Sequence, residues 1–556
     1  MAETRPAVLI IGGSGVFGAH LCRRLARLKL YRILIGGRRA EKAATLIEEL
    51  CKLDPDCRAG FVACDRATLS GADLKALGLR AIVDAAGPFQ TSSHTLVDAA
   101  IDAGIHYIDL CDARAFAACI GVFDQRAKQA GIAVLTGASS TPALSGAMLR
   151  GLTAGWRSID RVTVSIAPGN KVARGRSVID AILSWSGEPV RVFDDGRWQM
   201  QTGWSGNSRV HLGELGWRNA VLAETPDLDA LVEDFKPRLS ARFEAGMELG
   251  LIHHGLRALV ALRRLRLLPR LNLFGRPLHF IAKLLEPFGS DTGGMAVEAV
   301  GVDAQGIAVQ AAARLIALDG DGPVIPSLSA VALLRRMADK DFGYRGASHA
   351  GRHITASEVL DLVPDLSIHL ETETAPGADA LFKTVLGGTS FAAMPHVTQT
   401  LHRGAPAILG EGRADIDPPG NFAGRLISAL FGFPRPGKDV PVSVLVEQIP
   451  GGERWLRRYP GRDMQSFMSH SDPDTQTLEE RFGHFSFRMK IFGHEQGLDM
   501  QMVSARLGPL PLPKILVPKI TATERAGPQG RHLFDVCIRL PLIGDIVRYR
   551  GWLALR

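Results

Sequence analysis

The chain has 556 residues, 46% of them hydrophobic and 22% charged, a composition that excludes a disordered or collagen-like chain. At roughly 150 residues per domain, the length allows three or four domains with cores of their own. Its 65 Lys and Arg outnumber its 57 Asp and Glu by eight, and no apolar run approaches the ~18 residues needed to span a bilayer.

The first apolar stretch, Ala7–Ile11, is too short for a signal-peptide core and runs into a glycine motif, so a cytoplasmic protein is expected. Six of the seven cysteines lie in the first 120 residues, with Cys537 alone near the end. An odd number without a CxxC pair suggests neither a disulfide framework nor a zinc ribbon.

Short apolar runs at Ala7–Ile11, Ile33–Gly36, Gly60–Cys64, Ala81–Ala85, Tyr107–Leu110 and Ala133–Thr136 read as strands. Segments of helical period at Ala19–Leu30, Ala40–Cys51, His94–Ala103 and Ala115–Ala130 alternate with them. That alternation predicts right-handed βαβ units and a Rossmann-type, doubly wound parallel sheet over residues 1–155. Within it, Gly13, Gly15 and Gly18 form G-x-G-x-x-G after a strand and at a helix start. The first glycine allows the tight turn, the second lets backbone approach a pyrophosphate, and the third lets helix and strand pack closely. The loop Gly13-Ser14-Gly15-Val16-Phe17-Gly18 and the helix N–H groups behind it are the candidate phosphate site. An NAD-preferring site places a carboxylate at the end of the second strand. This chain has Gly36-Gly37-Arg38-Arg39 there. Two guanidiniums can pair with a 2′-phosphate, so NADP(H) is the expected cofactor, although the arginines also suit a solvated helix start.

The motifs Gly12–Gly18, Gly37-Arg38, Ala86-Gly-Pro-Phe89 and Gly104-Ile-His-Tyr-Ile-Asp109 together resemble the saccharopine dehydrogenase family, in its NADP-binding reductase branch. The similarity runs, with weaker motifs at Pro168-Gly-Asn170, Arg174-Gly175 and Gly322–Pro326, through about the first 370 residues. It implies an α/β substrate domain over 156–370 and a late helix, near Leu328–Met337, returning to the first domain. It also implies that Gly87, Pro88 and Phe89 lie against the nicotinamide. Family members often continue Y-x-D-x-x-G-E, whereas this chain reads Tyr107-Ile-Asp109-Leu-Cys-Asp112-Ala. The family's imine reductases, polyamine-forming enzymes and lipid-directed enoyl reductases leave the substrate amino-acid-like or lipid-like.

Hydride transfer to a C=N or C=C bond needs a proton source near the strand C-termini. Asp112 is the candidate acid, with helix capping as its other reading. Ser139, Ser140 and Thr141 precede Pro142, where one of them is expected to cap the next helix; Ser139 is also a candidate substrate contact. Lys171 and Arg174, after a strand and turn, could grip an anionic substrate group or be an ordinary basic loop. His349 and His353 stand four apart across Gly351 with no metal-site signature around them.

Between Glu248 and Glu286 the chain carries seven basic and no acidic residues among many leucines. Outside that segment 58 basic residues face 57 acidic ones, so the charge is local. Leu256, Leu259, Val260, Leu262 and Leu265 suggest an apolar helix face beside an arginine face. Residues 251–285 therefore read as a membrane-surface element, or as a helix packed on its own core. No nucleic-acid motif is present.

Glu371–Asp379 reads as a linker. Residues 376–556 begin with a short helix, Ala380–Leu386, and then alternate with period two, as at Val440–Glu447, Phe485–Ile491 and Leu498–Val503. This predicts a β-rich antiparallel domain. With Leu507–Pro513 and Tyr549–Leu553 it resembles an uncharacterised domain fused to bacterial reductases of this type. Two functions fit the whole: an NADP(H)-dependent oxidoreductase, or a non-catalytic NADP-binding sensor or scaffold.

Overall fold

The computed structural model describes residues 5–555 apart from 172–175, 207, 266, 269–270, 340–341, 378–379, 404–406, 450, 471–474, 514 and 516. The chain divides into two compact units, residues 1–299 with 311–374, and residues 300–310 with 375–556.

The first unit opens with β1 (Ala7–Ile11), α1 (Val16–Leu28), β2 (Arg32–Gly37), α2 (Glu41–Leu53) and β3 (Gly60–Ala63). It continues with α3 (Gly71–Ala76), β4 (Leu79–Asp84), α4 (Thr95–Ala103), β5 (His106–Asp109) and, after two short helices, β6 (Ala133–Thr136). All five residues of β1 are buried, as a central strand covered on both faces requires. The sheet order is β6-β5-β4-β1-β2-β3, with strand Gly346–His349 added beside β6, and its pairings are parallel. This is the doubly wound sheet that the alternation predicts. The expected single helix over Ala115–Ala130 is instead two, Arg114–Ala118 and Asp124–Gln129, parted by a 3₁₀ turn at Ile120–Phe123. Gly121 and β-branched Val122 weaken the helix where it breaks.

Helix Ile325–Ala338 packs against α1. Tyr31 Oη donates to Leu334 O at 2.8 Å, and Arg80 Nε to Met337 O at 3.2 Å. The remainder of the unit is a nine-stranded mixed sheet. In it Ser240–Met247 pairs parallel with Ser158–Ala167 and antiparallel with Trp217–Leu222. Its far edge is strand Ile368–Pro376, which replaces the expected linker. The Glu-Thr-Glu-Thr alternation there is a charged, β-branched edge strand whose side chains mostly face solvent, and 378–379 lie outside the described residues.

In the second unit, ten antiparallel strands from Ala407–Asp417 to Gly544–Leu555 each pair with the next. The first also pairs with the last, so the sheet closes as an up-and-down barrel, with the short strand Leu510–Pro511 attached to Gly497–Leu507. Phe382, Leu386, Phe391, Met394 and Leu401, from three short helices preceding the barrel, join its core with Trp455, Tyr459 and Tyr549. The sequence shows the first of these helices; Gly388–Ala393 and His396–Leu401 are too short for a periodic signal.

Candidate functional site

The C-terminal ends of β1, β2, β4, β5 and β6 carry the loops of the candidate site. After β1 the left-handed residue is Gly12, at φ +73°, so the tight turn assigned to Gly13 falls one residue earlier. Gly13 is needed for space, since a Cβ there would lie 3.1 Å from Ile10 O and 3.2 Å from Ile35 Cγ2. At Gly18 a Cβ would stand 2.4 Å from Gly12 O, and only glycine fits. Ser14, Gly15 and Val16 are exposed, Phe17 is half-buried, and no side chain caps α1. The first turn of a 13-residue helix therefore presents unpaired N–H groups and positive potential at the open loop. Arg38 and Arg39, just past β2, are exposed and make no ion pair among the described residues. These features fit a dinucleotide carrying a 2′-phosphate.

Beyond β4, Gly87 and Pro88 are exposed but Phe89 is only 3% exposed. Its ring packs with Cys111, Ala113, Phe116 and Ala117, meeting Phe116 edge-on at 5.3 Å. The loop is braced from below. Asp84, fully buried at the end of β4, accepts from Ala86 N at 3.0 Å and pairs with Arg66 Nη2 at 2.8 Å. Arg66 also donates to Ala86 O and lies 4.8 Å over the Phe89 ring. Burial raises the Asp84 carboxyl to about 7, against the pull of Arg66. Asp109, its register partner on β5, is buried and also raised by desolvation. It accepts from Gly137 N (2.7 Å), Cys111 N (3.0 Å) and Thr136 Oγ1 (3.0 Å).

Asp112, after β5, is exposed. Desolvation raises its pKa, and the Gln90 amide donates to it at 3.4 Å. Two residues on, Arg114 forks onto Asp229 with both bonds at 2.6 Å. Arg114 also opposes the burial that raises Glu224. Ser139 is half-buried, and its carbonyl accepts from Ser329 Oγ at 2.9 Å. Neither it nor its neighbours cap the following helix. A turn of π-helix over Ser140–Leu144 leads directly into Ser145–Leu152, with no side-chain cap on either. Pro142 lacks the N–H that a capping side chain would meet.

Lys171 is exposed after Ser158–Ala167, and its N–H donates to Ser290 O at 2.9 Å. The adjoining turn is held by Glu248, which accepts from Asn170 N and Ser290 Oγ at 2.7 and 2.6 Å. Arg174 lies outside the described residues.

Sequence reading gave the tight turn to Gly13 rather than Gly12, and missed Arg66, Asp84 and Glu224. A carboxylate ending a buried strand was a readable signal for Asp84, but its pairing with Arg66 depends on the tertiary fold.

A strand–glycine loop–helix unit with a free basic second-strand end defines a dinucleotide-binding domain of the oxidoreductase class. Residues 8–135 match the family model described as the saccharopine dehydrogenase NADP binding domain. The chain therefore carries such a domain and binds NADP(H), as the motif resemblance implies. Residues 394–553 match DUF4166, a domain of unknown function, which is the fused, uncharacterised domain expected at that end. Among solved structures, apo histidine-tagged saccharopine dehydrogenase (L-Glu forming) from Saccharomyces cerevisiae is 12% identical. That match covers 66% of this chain and all of that one at TM-score 0.45. A dehydrogenase (MviM) from Clostridium difficile is 10% identical over 64% of this chain and 96% of that one, at TM-score 0.29. No curated protein matches the chain.

Proposed function

We propose that the protein is an NADPH-dependent reductase that reduces a C=N or C=C bond of an amino-acid-like or lipid-like substrate. The observation that carries this reading is the end of β2, where exposed Arg38 and Arg39 replace the carboxylate of an NAD site. Ser14, Gly15, Val16 and the first-turn N–H groups of Phe17 and Gly18 would hold the pyrophosphate. Arg38 and Arg39 would hold the 2′-phosphate that NADH lacks. Gly87 and Pro88, both exposed, would border the nicotinamide, with Phe89 supporting them from beneath.

The bound cofactor supplies the hydride, and the product then takes one proton. Asp112 is the proposed donor, because desolvation favours its neutral form. Gln90 orients its carboxyl group. The Ser139 hydroxyl, which makes no hydrogen bond among the described residues, is free to meet a polar group of the substrate. Lys171 and Arg174 are proposed to hold an anionic end of it.

Fluorescence titration tests the cofactor assignment. NADPH should bind at least about tenfold more tightly than NADH, and Arg38→Asp should reverse the order. Equal affinities in the natural protein would overturn it. With a substrate in hand, Asp112→Asn should lower kcat by about a hundredfold or more while NADPH affinity stays unchanged. An unaltered kcat would remove Asp112 from the reaction.

A further inference from the structure

We infer that the helical layer over residues 250–288 is a docking surface for an anionic membrane face, on which the first unit lies without crossing. Its first element, helix Gly250–Arg264, faces the core with His253, Leu256 and Val260, all under 9% exposed. Leu262 and Leu265, expected on that same face, point away from it. Leu251, Leu262 and Leu265 are separated by eleven and three residues, which returns them to one side of a 3.6-residue helix, opposite the buried trio. They are 73%, 39% and 69% exposed.

The second element repeats the pattern. Helix Gly275–Leu285 packs inward through Leu278. Phe280, Ile281 and Leu284 share its outer face, with Phe288 one turn further on. All four are exposed, Phe280 and Phe288 by about two-thirds or more. A soluble surface scatters its exposed apolar side chains singly, and an apolar outer face repeated on two successive helices marks an interaction surface.

Charge selects the occupant. Residues 249–285 carry seven cations and no acid, and Glu286 is the one carboxylate of the layer. Arg263 pairs with Glu188 at 3.0 Å, whereas Arg264, Arg276 and Lys283 are exposed and make no ion pair among the described residues. Arg266 and Arg270 lie outside those residues. A second copy docked by the same face would set seven cations against seven with only Glu286 to meet them. An anionic lipid surface meets both features, taking leucine and phenylalanine into the acyl boundary and the cations at its phosphates. The helices have 15 and 11 residues, lengths suited to lying in the interface. No helix among the described residues is long and apolar enough to cross a membrane.

The full chain should float with phosphatidylcholine–phosphatidylglycerol vesicles and not with vesicles of phosphatidylcholine alone. Each of Arg276→Gln and Lys283→Gln should weaken binding about fivefold, and each of Phe280→Ala and Leu284→Ala roughly tenfold. Unchanged thermal unfolding would show that these exposed substitutions leave the fold intact. Absence of flotation with the mixed vesicles, or equal flotation with neutral ones, would overturn the inference. So would self-association in sedimentation velocity that Phe280→Ala abolishes, which would assign the face to a second copy.

Discussion

Asp84 joins burial, charge and loop position in one side chain. Its carboxylate is out of water, yet one oxygen fixes the first N–H of the Ala86–Phe89 loop and the other meets Arg66. A buried pair of this kind returns little net stability, because desolvation offsets most of the attraction. Its value here is positional, since Arg66 grips the Ala86 carbonyl and the Phe89 ring at the same time. The carboxyl titrates near 7 in the folded protein against an ordinary value of 3.8. Between those values the folded state holds a proton that the unfolded state has lost, so stability falls as pH rises through the window and levels off above it. Asp84→Asn keeps the acceptor for Ala86 and removes the titration. The variant's thermal midpoint should therefore fall less between pH ~5 and pH ~8 than that of the natural protein. Asp227, raised by burial to about 6, acts with the same sign in both proteins and cancels in the comparison. Identical pH slopes would show that Asp84 is ionised throughout.

Among the elements, those with a strong local signal were legible in the sequence and those defined by tertiary partners were not. The six strands of the first sheet were readable because each is a short apolar run closed by a turn residue. Helix Ile325–Ala338 was foreseen only in part, as Leu328–Met337. Nine of its fourteen residues are buried, and a helix covered all round loses the one-sided periodicity by which helices are read. The barrel strands alternate clearly, but alternation does not reveal closure, which rests on the pairing of Ala407–Asp417 with Gly544–Leu555 across some 130 residues. In the sequence Arg454, Trp455, Arg457 and Arg458 form one basic stretch. The two-residue period divides it, turning Trp455 and Arg457 toward the core with Glu480, while Arg454 pairs with Glu447. In the site, the phosphate loop and the basic end of β2 were legible because they are contiguous. The Arg66–Asp84 pair that braces the Ala86–Phe89 loop joins residues eighteen apart and was not. Leu333 tests the element that ties the chain's later part to the first sheet. It is fully buried, and Leu333→Ala should cost about 2–5 kcal/mol, read from urea unfolding. A loss within ~0.5 kcal/mol would mean that the helix can shift to fill the space.

At the scale of the whole molecule, the two units have separate hydrophobic cores, and the elements that fit a dinucleotide all belong to the first. The second closes its sheet on itself, which leaves no long edge needing another unit for its hydrogen bonds. Several of its buried polar groups are met internally, with His402 and His532 on Glu524 at 2.7 and 3.4 Å and Ser466 on Glu480 at 2.6 Å. A ligand stabilises only the cooperative unit that binds it, by RT ln(1 + [L]/Kd). Calorimetry should therefore resolve two transitions, because two separate cores need not melt together. NADPH at a hundred times its Kd should stabilise the unit bearing α1 and the β2 arginines by about 2.7 kcal/mol and leave the barrel's transition in place. NADH at the same concentration should shift the first transition less, and in Arg38→Asp the order of the two shifts should reverse. A single transition that moves as a whole with NADPH would show that barrel and nucleotide domain unfold as one, and would make the barrel part of the same cooperative fold.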